Sequence, residues 1–191
     1  MKANNIMGLL VVLLLTITAL TANAQRVEDF PDIGDPITTY PQVEWIKGGP
    51  ISKFEDGKIY LVELWATWCV PCMAAMPHLN ELSLKFKDKI TFIAQDVFER
   101  DEAKAVSYVK NHTNELNFNI ALSGPPGSDF DKKWIKPAAV SAIPQTYLIQ
   151  NGKLMWVTTP DQINEQVLQL LVDGKFTMDA AKKLSKSGSG N

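Results

Sequence analysis

The sequence predicts an α/β fold in which a mixed β-sheet is flanked by helices. Apolar runs typical of buried strands alternate with segments of helical periodicity through the earlier part of the chain. Two strand-like segments joined by Asn151-Gly152, a pair typical of a two-residue hairpin turn, then precede a final helix. Alternating strands and helices favour parallel pairing, whereas a hairpin is antiparallel, so we expect both kinds of pairing in one sheet.

The first half of the chain is expected to carry the centre of this sheet. Residues 42–46 alternate apolar and polar side chains, which is typical of an edge strand. Residues 58–65 and 89–96 are apolar enough for buried strands, and between them the apolar residues of 70–86 recur at helical spacing. The sequence therefore predicts a strand, a helix and a second strand in succession.

The second half of the chain is expected to complete the sheet and its cover. A surface helix is predicted over 101–111 and a short helix over 129–136, ended by Pro137. The last helix should be capped by Asp161 and stopped by Gly174. The predicted strands of this half cover residues 118–122, 146–150 and 153–157.

Four segments are expected along the chain. Residues 1–24 resemble a secretory signal peptide, with Lys2 at the start, an apolar stretch over 6–20 and the small-residue cleavage pattern Ala22-Asn23-Ala24. A retained membrane anchor is the alternative, but a span needs roughly 20 apolar residues. Residues 25–34 should be an extended lead-in, 35–176 one domain and 177–191 a flexible tail. We therefore expect a periplasmic or secreted protein whose mature form is not embedded in the membrane.

The charge balance disfavours two classes of partner. The formal net charge is −2, and no basic run lies outside the tail. Nucleic acids and anionic membrane surfaces are bound by clustered basic residues, so neither is expected. A protein or a small thiol is the expected partner.

Both cysteines of the chain lie in Trp68-Cys69-Val70-Pro71-Cys72, where the strand 58–65 passes into the helix 70–86. Unpaired N–H groups and the positive end of the helix dipole stabilise a thiolate there, so Cys69 should ionise more easily than a free cysteine. Cys72, one turn further in, can resolve a mixed disulfide or close an intramolecular one. This arrangement predicts thiol–disulfide exchange.

Two other uses of the cysteines are less consistent with the sequence. A structural disulfide that encloses two residues removes little entropy from the unfolded chain and would stabilise a domain poorly. A zinc site needs four ligands at suitable spacing, and the chain offers two cysteines with His78 and His112 far apart. No metal site is expected.

Three further residues near the cysteines carry predictions. Glu63 lies in an otherwise apolar strand, where burial would raise its pKa and suit a proton shuttle; a solvent-facing glutamate is the alternative. Pro71 should favour the helix start, and Pro77, which lacks an N–H group, should kink the helix.

The chain resembles the thioredoxin fold in its cysteine motif, in Pro77 five residues after Cys72 and in Ile143-Pro144 before a strand. It is more similar to the exported branch, the TlpA/ResA-like thiol–disulfide oxidoreductases. That similarity lies in Trp65-Ala66-Thr67-Trp68-Cys69 and in the series Trp134, Ala138-Ala139, Ile143-Pro144-Gln145-Thr146, Gly152 and Trp156. The resemblance covers 35–176 and implies a central sheet flanked by helices, with an N-terminal extension and a mid-chain insertion over 98–128.

The resemblance also implies roles for single residues. Cys69 would be the nucleophile and Cys72 the resolving thiol, with Glu63 taking the proton of the resolving thiol. Pro144 would be a cis-proline opposite the disulfide, next to a docking groove lined by Ile143.

The motif residue Trp68 is expected to shield the disulfide and to meet the partner protein. The predicted activity is reduction of a protein or peptide disulfide, with an upstream thiol donor restoring the reduced pair and no cofactor beyond the redox-active disulfide. An oxidase or isomerase that runs the same exchange in reverse is one alternative. The other is a non-catalytic chaperone whose thiols hold Cu(I).

Overall fold

The structure is a computed structural model that describes residues 29–187. The predicted signal peptide, its cleavage after Ala24, the first residues of the lead-in and the last four residues of the predicted tail lie outside the described residues. Among the helices of the described part, none is long and apolar enough to cross a membrane.

Six strands form one mixed sheet in the order β1-β4-β3-β2-β5-β6. Strands β2, β3 and β4 are parallel, while β1, β5 and β6 pair antiparallel with their neighbours. The strands are β1 (Glu44–Lys47), β2 (Ile59–Trp65), β3 (Ile90–Asp96), β4 (Asn119–Leu122), β5 (Gln145–Gln150) and β6 (Lys153–Thr158). The prediction of a mixed sheet is confirmed.

The described residues contain four α-helices and two shorter helical turns. The α-helices are α1 (Val70–Lys85), α2 (Glu102–Asn111), α3 (Glu165–Val172) and α4 (Met178–Ser187). A π-helical turn covers Asp131–Ile135, where a short helix was predicted, and a 3₁₀ turn covers Pro160–Gln162.

Strand β2 is the centre of the sheet, and all seven of its residues are buried. Its side chains alternate between two hydrophobic clusters, as the two-residue period of a strand requires. Leu61 and Trp65 join the cluster beneath the α-helices, while Val62 and Leu64 join a cluster on the opposite face. We call the first side the helix face of the sheet. The alternation places Glu63 on this face.

The N-terminal extension covers the other face of the sheet. Phe30 makes edge-on ring contacts with Trp134 and Tyr147, with ring centroids 5.1 Å and 5.7 Å apart. The Gly34 N–H donates to the carbonyl oxygen of Leu154 over 2.7 Å, which attaches the extension to β6. The segment is therefore part of the packed domain.

The predicted insertion, 98–128, contributes helix α2 and strand β4. Strand β4 lies between β3 and β1, so the edge strand β1 reaches the sheet only through it. The segment therefore extends the sheet instead of forming a separate loop.

The start of helix α3 differs from the prediction. Asp161 lies in the 3₁₀ turn, and the helix begins later, with Asn164 as its N-cap. The Asn164 Oδ1 accepts from the Val167 N–H over 2.9 Å. Aspartate and asparagine are both good N-caps, but the 3₁₀ turn that begins at Pro160 includes Asp161, so the helix begins after Asn164 instead.

The prediction of a flexible tail from residue 177 was wrong for the described part. Residues 178–187 form helix α4, in which Ala181 and Ser185 are buried and Met178 and Leu184 are half-buried. These four positions recur at helical spacing and form one face that packs against α3 and the 3₁₀ turn. The polar composition of the segment reflects its exposed face and conceals this stripe.

A substitution on this buried stripe tests the role of α4. Ala181→Asp is expected to lower the free energy of unfolding by about 2 kcal/mol or more, because it places a charge where no solvent reaches. Lys182→Asp, at the exposed neighbouring position, is the matched control and should change stability little. Urea unfolding measures both, and an equal effect of the two substitutions would show that α4 does not hold to the domain.

Candidate active site

Cys69 and Cys72 form a disulfide at the beginning of α1, with their Cα atoms 5.2 Å apart. Cys69 is the N-cap of the helix, and its Sγ accepts a hydrogen bond from the Cys72 N–H over 3.3 Å. An N-cap side chain lies beside helix N–H groups that lack other partners, where negative charge is stabilised. The predicted position of the two sulfurs is confirmed.

The disulfide is covered, and apolar side chains project around it. Cys69 is only 3% exposed, whereas Trp68 is 55% and Val70 78% exposed. Phe98, on the loop after β3, is 41% exposed, and its carbonyl oxygen accepts from the Trp68 indole Nε1 over 3.1 Å. We call Trp68, Val70 and Phe98 the apolar collar. Cys69 is less accessible than we expected from the sequence. An incoming partner therefore has to contact the apolar collar to reach the Cys69 sulfur.

Ile143 and Pro144 lie at the same end of the sheet. Strand β5 pairs antiparallel with β2, and the last pair at this end is Leu64 with Gln145. Ile143 and Pro144 directly precede β5. They therefore lie beside Trp65 and Ala66, which lead from β2 to the cysteines. The Ile143–Pro144 peptide bond is cis, and both residues are half-buried. Their placement fits the predicted docking groove, and their role stays a prediction.

Glu63 is buried on the helix face, two residues before the end of β2. The Thr146 hydroxyl on β5 donates to Glu63 Oε2, while Oε1 has no hydrogen-bond partner among the described residues. Burial raises the pKa of Glu63 well above its ordinary value, and the Thr146 hydrogen bond opposes this shift only in part. The expectation of a buried carboxyl is met, and the solvent-facing alternative is wrong.

Helix α1 contains both prolines singled out in the sequence. Pro71 lies in its first turn, and Pro77 lies inside a helix that continues to Lys85. His78 Nε2 lies 2.7 Å from the carbonyl oxygen of Ile163, a contact that ties α1 to the segment before α3. His78 therefore has a structural partner away from the disulfide.

Sequence reasoning missed the loop that holds the turn in front of Cys69. The Thr67 N–H and hydroxyl both donate to Glu99 Oε2, over 2.9 Å and 2.8 Å. The Val97 N–H donates to the Trp65 carbonyl oxygen over 2.8 Å. With the Trp68–Phe98 hydrogen bond, the loop 97–99 is thus attached to 65–68 at three places.

A second buried carboxyl lies behind this loop. Asp96 ends β3 directly beside Trp65 of β2 and, by alternation with Phe92 and Ala94, faces the helix side. It is 1% exposed, and its Oδ2 has no hydrogen-bond partner within residues 29–187. Burial, together with the neighbouring Glu99 and Glu102 carboxyls, raises the pKa of Asp96 to about 8.

The sequence held one signal for this arrangement, which is an aspartate at the end of a buried strand. The contact of Glu99 with Thr67 could not be read from it. That contact depends on the loop conformation, in which Phe98 has a φ of 59°, an uncommon value for a residue other than glycine.

Comparison with known proteins agrees with this geometry. Residues 37–113 match the thioredoxin family. Protein FixW of Rhizobium leguminosarum is 24% identical over 161 residues, which cover 81% of this chain and 72% of FixW. The thiol–disulfide oxidoreductase ResA of Bacillus thuringiensis (strain Al Hakam) is 36% identical over 115 residues, 58% of this chain and 60% of ResA. The chain thus spans less than two thirds of this ResA relative.

Solved structures share the fold. A thiol–disulfide isomerase from Corynebacterium glutamicum superposes with a TM-score of 0.57 at 19% identity, over 75% of this chain and 97% of that one. A thio-disulfide isomerase from Thermus thermophilus gives a TM-score of 0.54 at 19% identity, over 77% of this chain and 100% of that one. Residues 37–113 thus form a thioredoxin domain, and the chain shares the thioredoxin-like fold of these solved structures.

Proposed function

We propose that the chain is an exported thiol–disulfide oxidoreductase that reduces disulfides in protein or peptide substrates. The observation that carries the proposal is a cysteine pair at a helix N-terminus, with the first sulfur in the N-cap position and an apolar collar around it. The names of relatives such as ResA describe the same chemistry.

The first step uses reduced Cys69 as the nucleophile. Its thiolate attacks one sulfur of the substrate disulfide, forms a mixed disulfide and releases the other substrate sulfur as a thiolate. The free N–H groups at the start of α1 stabilise the thiolate before attack.

The second step releases the substrate. Cys72 gives up its proton, and its sulfur attacks the Cys69 sulfur, so that the internal disulfide closes and the second substrate sulfur leaves as a thiolate. Glu63, in its ionised form, is the proposed acceptor of the Cys72 proton. It lies on the helix face, where Cys72 also packs, and its Oε1 has no other partner in the described part of the chain. An upstream thiol donor then reduces the pair again, and we propose no cofactor beyond the two sulfurs.

The charges around the pair favour reduction over oxidation. The first turn of α1 carries no charged side chain, so no cation is placed there to stabilise the Cys69 thiolate. The side chain that holds Thr67 in front of Cys69 is the Glu99 carboxyl, which adds no positive charge either. A less stable thiolate makes the reduced pair a better electron donor, because strong oxidants owe their potential to a stabilised reduced form.

The proposed docking site combines the collar with the backbone at Ile143. A polypeptide substrate would place apolar side chains on Trp68 and Val70 and would pair its backbone with the residue before Pro144. Exposed apolar residues that cluster around a reactive group are typical of a protein-binding surface.

Insulin reduction tests the direction of exchange. In the presence of dithiothreitol, the protein should accelerate insulin precipitation, and it should restore scrambled ribonuclease only weakly. Efficient ribonuclease refolding without insulin reduction would favour the isomerase alternative. Failure in both assays, with an internal disulfide inert to dithiols, would contradict the proposed function.

Export is proposed from the pattern of residues 1–24. N-terminal sequencing of the protein from its native host should begin at Gln25. An intact Met1 in the bulk of the protein would contradict cleavage.

A further inference from the structure

We propose that Glu99 is a positioning residue that holds Trp68 and Phe98 together in the apolar collar and thereby selects disulfides with large apolar neighbours. The inference rests on the proposed function, because it takes Cys69 as the sulfur that attacks a substrate disulfide. It adds the class of substrate that the collar favours and the residue that maintains the collar.

Glu99 makes two hydrogen bonds to one residue of the turn before Cys69. A single carboxyl oxygen, Oε2, accepts from the Thr67 N–H over 2.9 Å and from the Thr67 hydroxyl over 2.8 Å. Both residues are half-buried, so water competes less for these bonds than it would at a fully exposed site. The contact joins the loop after β3 to the segment that leads into α1.

The loop after β3 needs such bonds because its backbone is strained. Phe98 has a φ of 59°, a left-handed value that is costly for a bulky residue and persists only where the surroundings enforce it. On one side of Phe98, the Val97 N–H donates to the Trp65 carbonyl oxygen over 2.8 Å, and on the other side Glu99 holds Thr67. The bond of Val97 is between backbone atoms, whereas the bonds of Glu99 can be removed by a substitution.

Two of the three collar residues depend on this contact. The Trp68 indole N–H donates to the Phe98 carbonyl oxygen over 3.1 Å, and the two residues are 55% and 41% exposed. Trp68 directly follows Thr67 in the chain, and Phe98 directly precedes Glu99. The bond between Thr67 and Glu99 therefore fixes both exposed aromatic residues at once, immediately before the buried Cys69.

A preformed collar favours one class of substrate. A disulfide with large apolar neighbours buries them against Trp68 and Phe98, whereas a disulfide between small polar residues gains little there. Because the collar is already ordered, binding does not have to immobilise its side chains. Without the Glu99 bonds that cost falls on the complex, so the preference for apolar neighbours should decline. The chemistry at the sulfurs should change little, because the N-cap position of Cys69 belongs to α1.

Reduction of two matched peptides tests the inference. Each peptide contains one internal disulfide, with phenylalanine beside a cysteine in the first and serine at the same place in the second. The unsubstituted protein should reduce the phenylalanine peptide with the higher kcat/KM. In Glu99→Leu, which removes the acceptor, KM for this peptide should rise about five- to ten-fold at nearly constant kcat, the effect of ordering one released side chain on binding. The serine peptide should react as before.

Three further variants separate the contact from a general disturbance of the site. Glu99→Gln keeps a carbonyl oxygen that can accept both hydrogen bonds from Thr67, so it should retain the preference for the phenylalanine peptide. Thr67→Val removes only the hydroxyl bond and should lose part of the preference, while Thr67→Ser should keep it. Hydrogen exchange of the Thr67 amide reports the contact itself: it should be faster in Glu99→Leu and unchanged in Glu99→Gln, with the Val97 amide as the internal reference.

Several results would overturn the inference. They are an equal loss of rate for both peptides in Glu99→Leu, an unchanged preference in that variant, a Thr67 amide that exchanges no faster there, and a preference lost in Glu99→Gln. If the unsubstituted protein reduces neither peptide, the proposed function is rejected and the inference falls with it. If it reduces both but Glu99→Leu keeps the preference, the inference alone is rejected.

Discussion

Cys69→Ala is expected to abolish disulfide reduction, and Cys72→Ala is expected to retain the attack but to trap the substrate as a mixed disulfide. Cys69 Sγ lies at the N-cap of α1, whereas Cys72 lies inside the helix and is the more deeply buried of the two. The first sulfur is therefore the one expected to meet an incoming disulfide. Removal of the nucleophile should lower the rate of insulin reduction by on the order of 10³-fold or more.

The two variants are matched controls for each other. Both lose the same disulfide, so any change in stability from that loss is shared. Non-reducing gels and mass spectrometry of protein incubated with a disulfide-bonded peptide should show a covalent adduct on Cys69 in Cys72→Ala and none in Cys69→Ala. An adduct on Cys72 of the Cys69→Ala protein would reverse the assigned order of the sulfurs and contradict the mechanism.

The order of strands and helices and the location of the cysteine pair could be predicted from the sequence. Each depends on local patterns: the apolar run of β2, the helical spacing after Cys72 and the turn chemistry of Asn151-Gly152. Asn151 and Gly152 indeed have φ values of 53° and 63°, as a two-residue hairpin turn of this kind requires. Local information was sufficient wherever one periodicity dominated.

The features that the sequence did not predict depend on contacts between residues that are far apart in the chain. Helix α4 is stabilised by a stripe with Ala181 and Ser185 at its centre, and small or polar residues give a weak hydrophobic signal. Glu99 reaches Thr67 across 32 residues, through a loop whose conformation no short-range pattern specifies. The burial of Cys69 likewise comes from neighbours that the fold brings together. In each case tertiary packing decides the outcome.

Glu63→Gln is expected to slow the closing step of the exchange by about 10- to 100-fold, because it removes the proposed proton acceptor for Cys72. The step can be observed alone. Reduced protein is mixed with 5,5′-dithiobis(2-nitrobenzoate), Cys69 captures one thionitrobenzoate, and Cys72 then displaces it. Stopped-flow absorbance separates the two releases, and only the second should be slower in the variant. Equal slowing of both releases would indicate a general disturbance of the site.

Thr146→Val is the matched control, because the valine side chain has nearly the same shape as threonine but lacks the hydroxyl group. The Thr146 hydroxyl donates to Glu63 Oε2 and favours the ionised carboxylate, so its removal should raise the pKa of Glu63 further. The second release should then keep its maximum rate and shift its pH dependence to higher pH. A pH profile unchanged by Thr146→Val would show that Glu63 does not govern the step.

The pH dependence of the free energy of unfolding tests the role of Glu63 independently. In the unfolded chain Glu63 ionises near its ordinary value of 4.5, whereas burial holds its proton to much higher pH in the folded chain. Above pH 4.5 the unfolded state therefore binds fewer protons, and the stability contributed by the buried, protonated group declines as the pH rises through the folded pKa. A glutamine at this position has no proton to lose, so Glu63→Gln should be more stable than the original protein at pH 7 and nearly equal to it at pH 4. A variant that unfolds more easily at pH 7 yet closes the disulfide at the normal rate would show that Glu63 serves packing and not proton transfer.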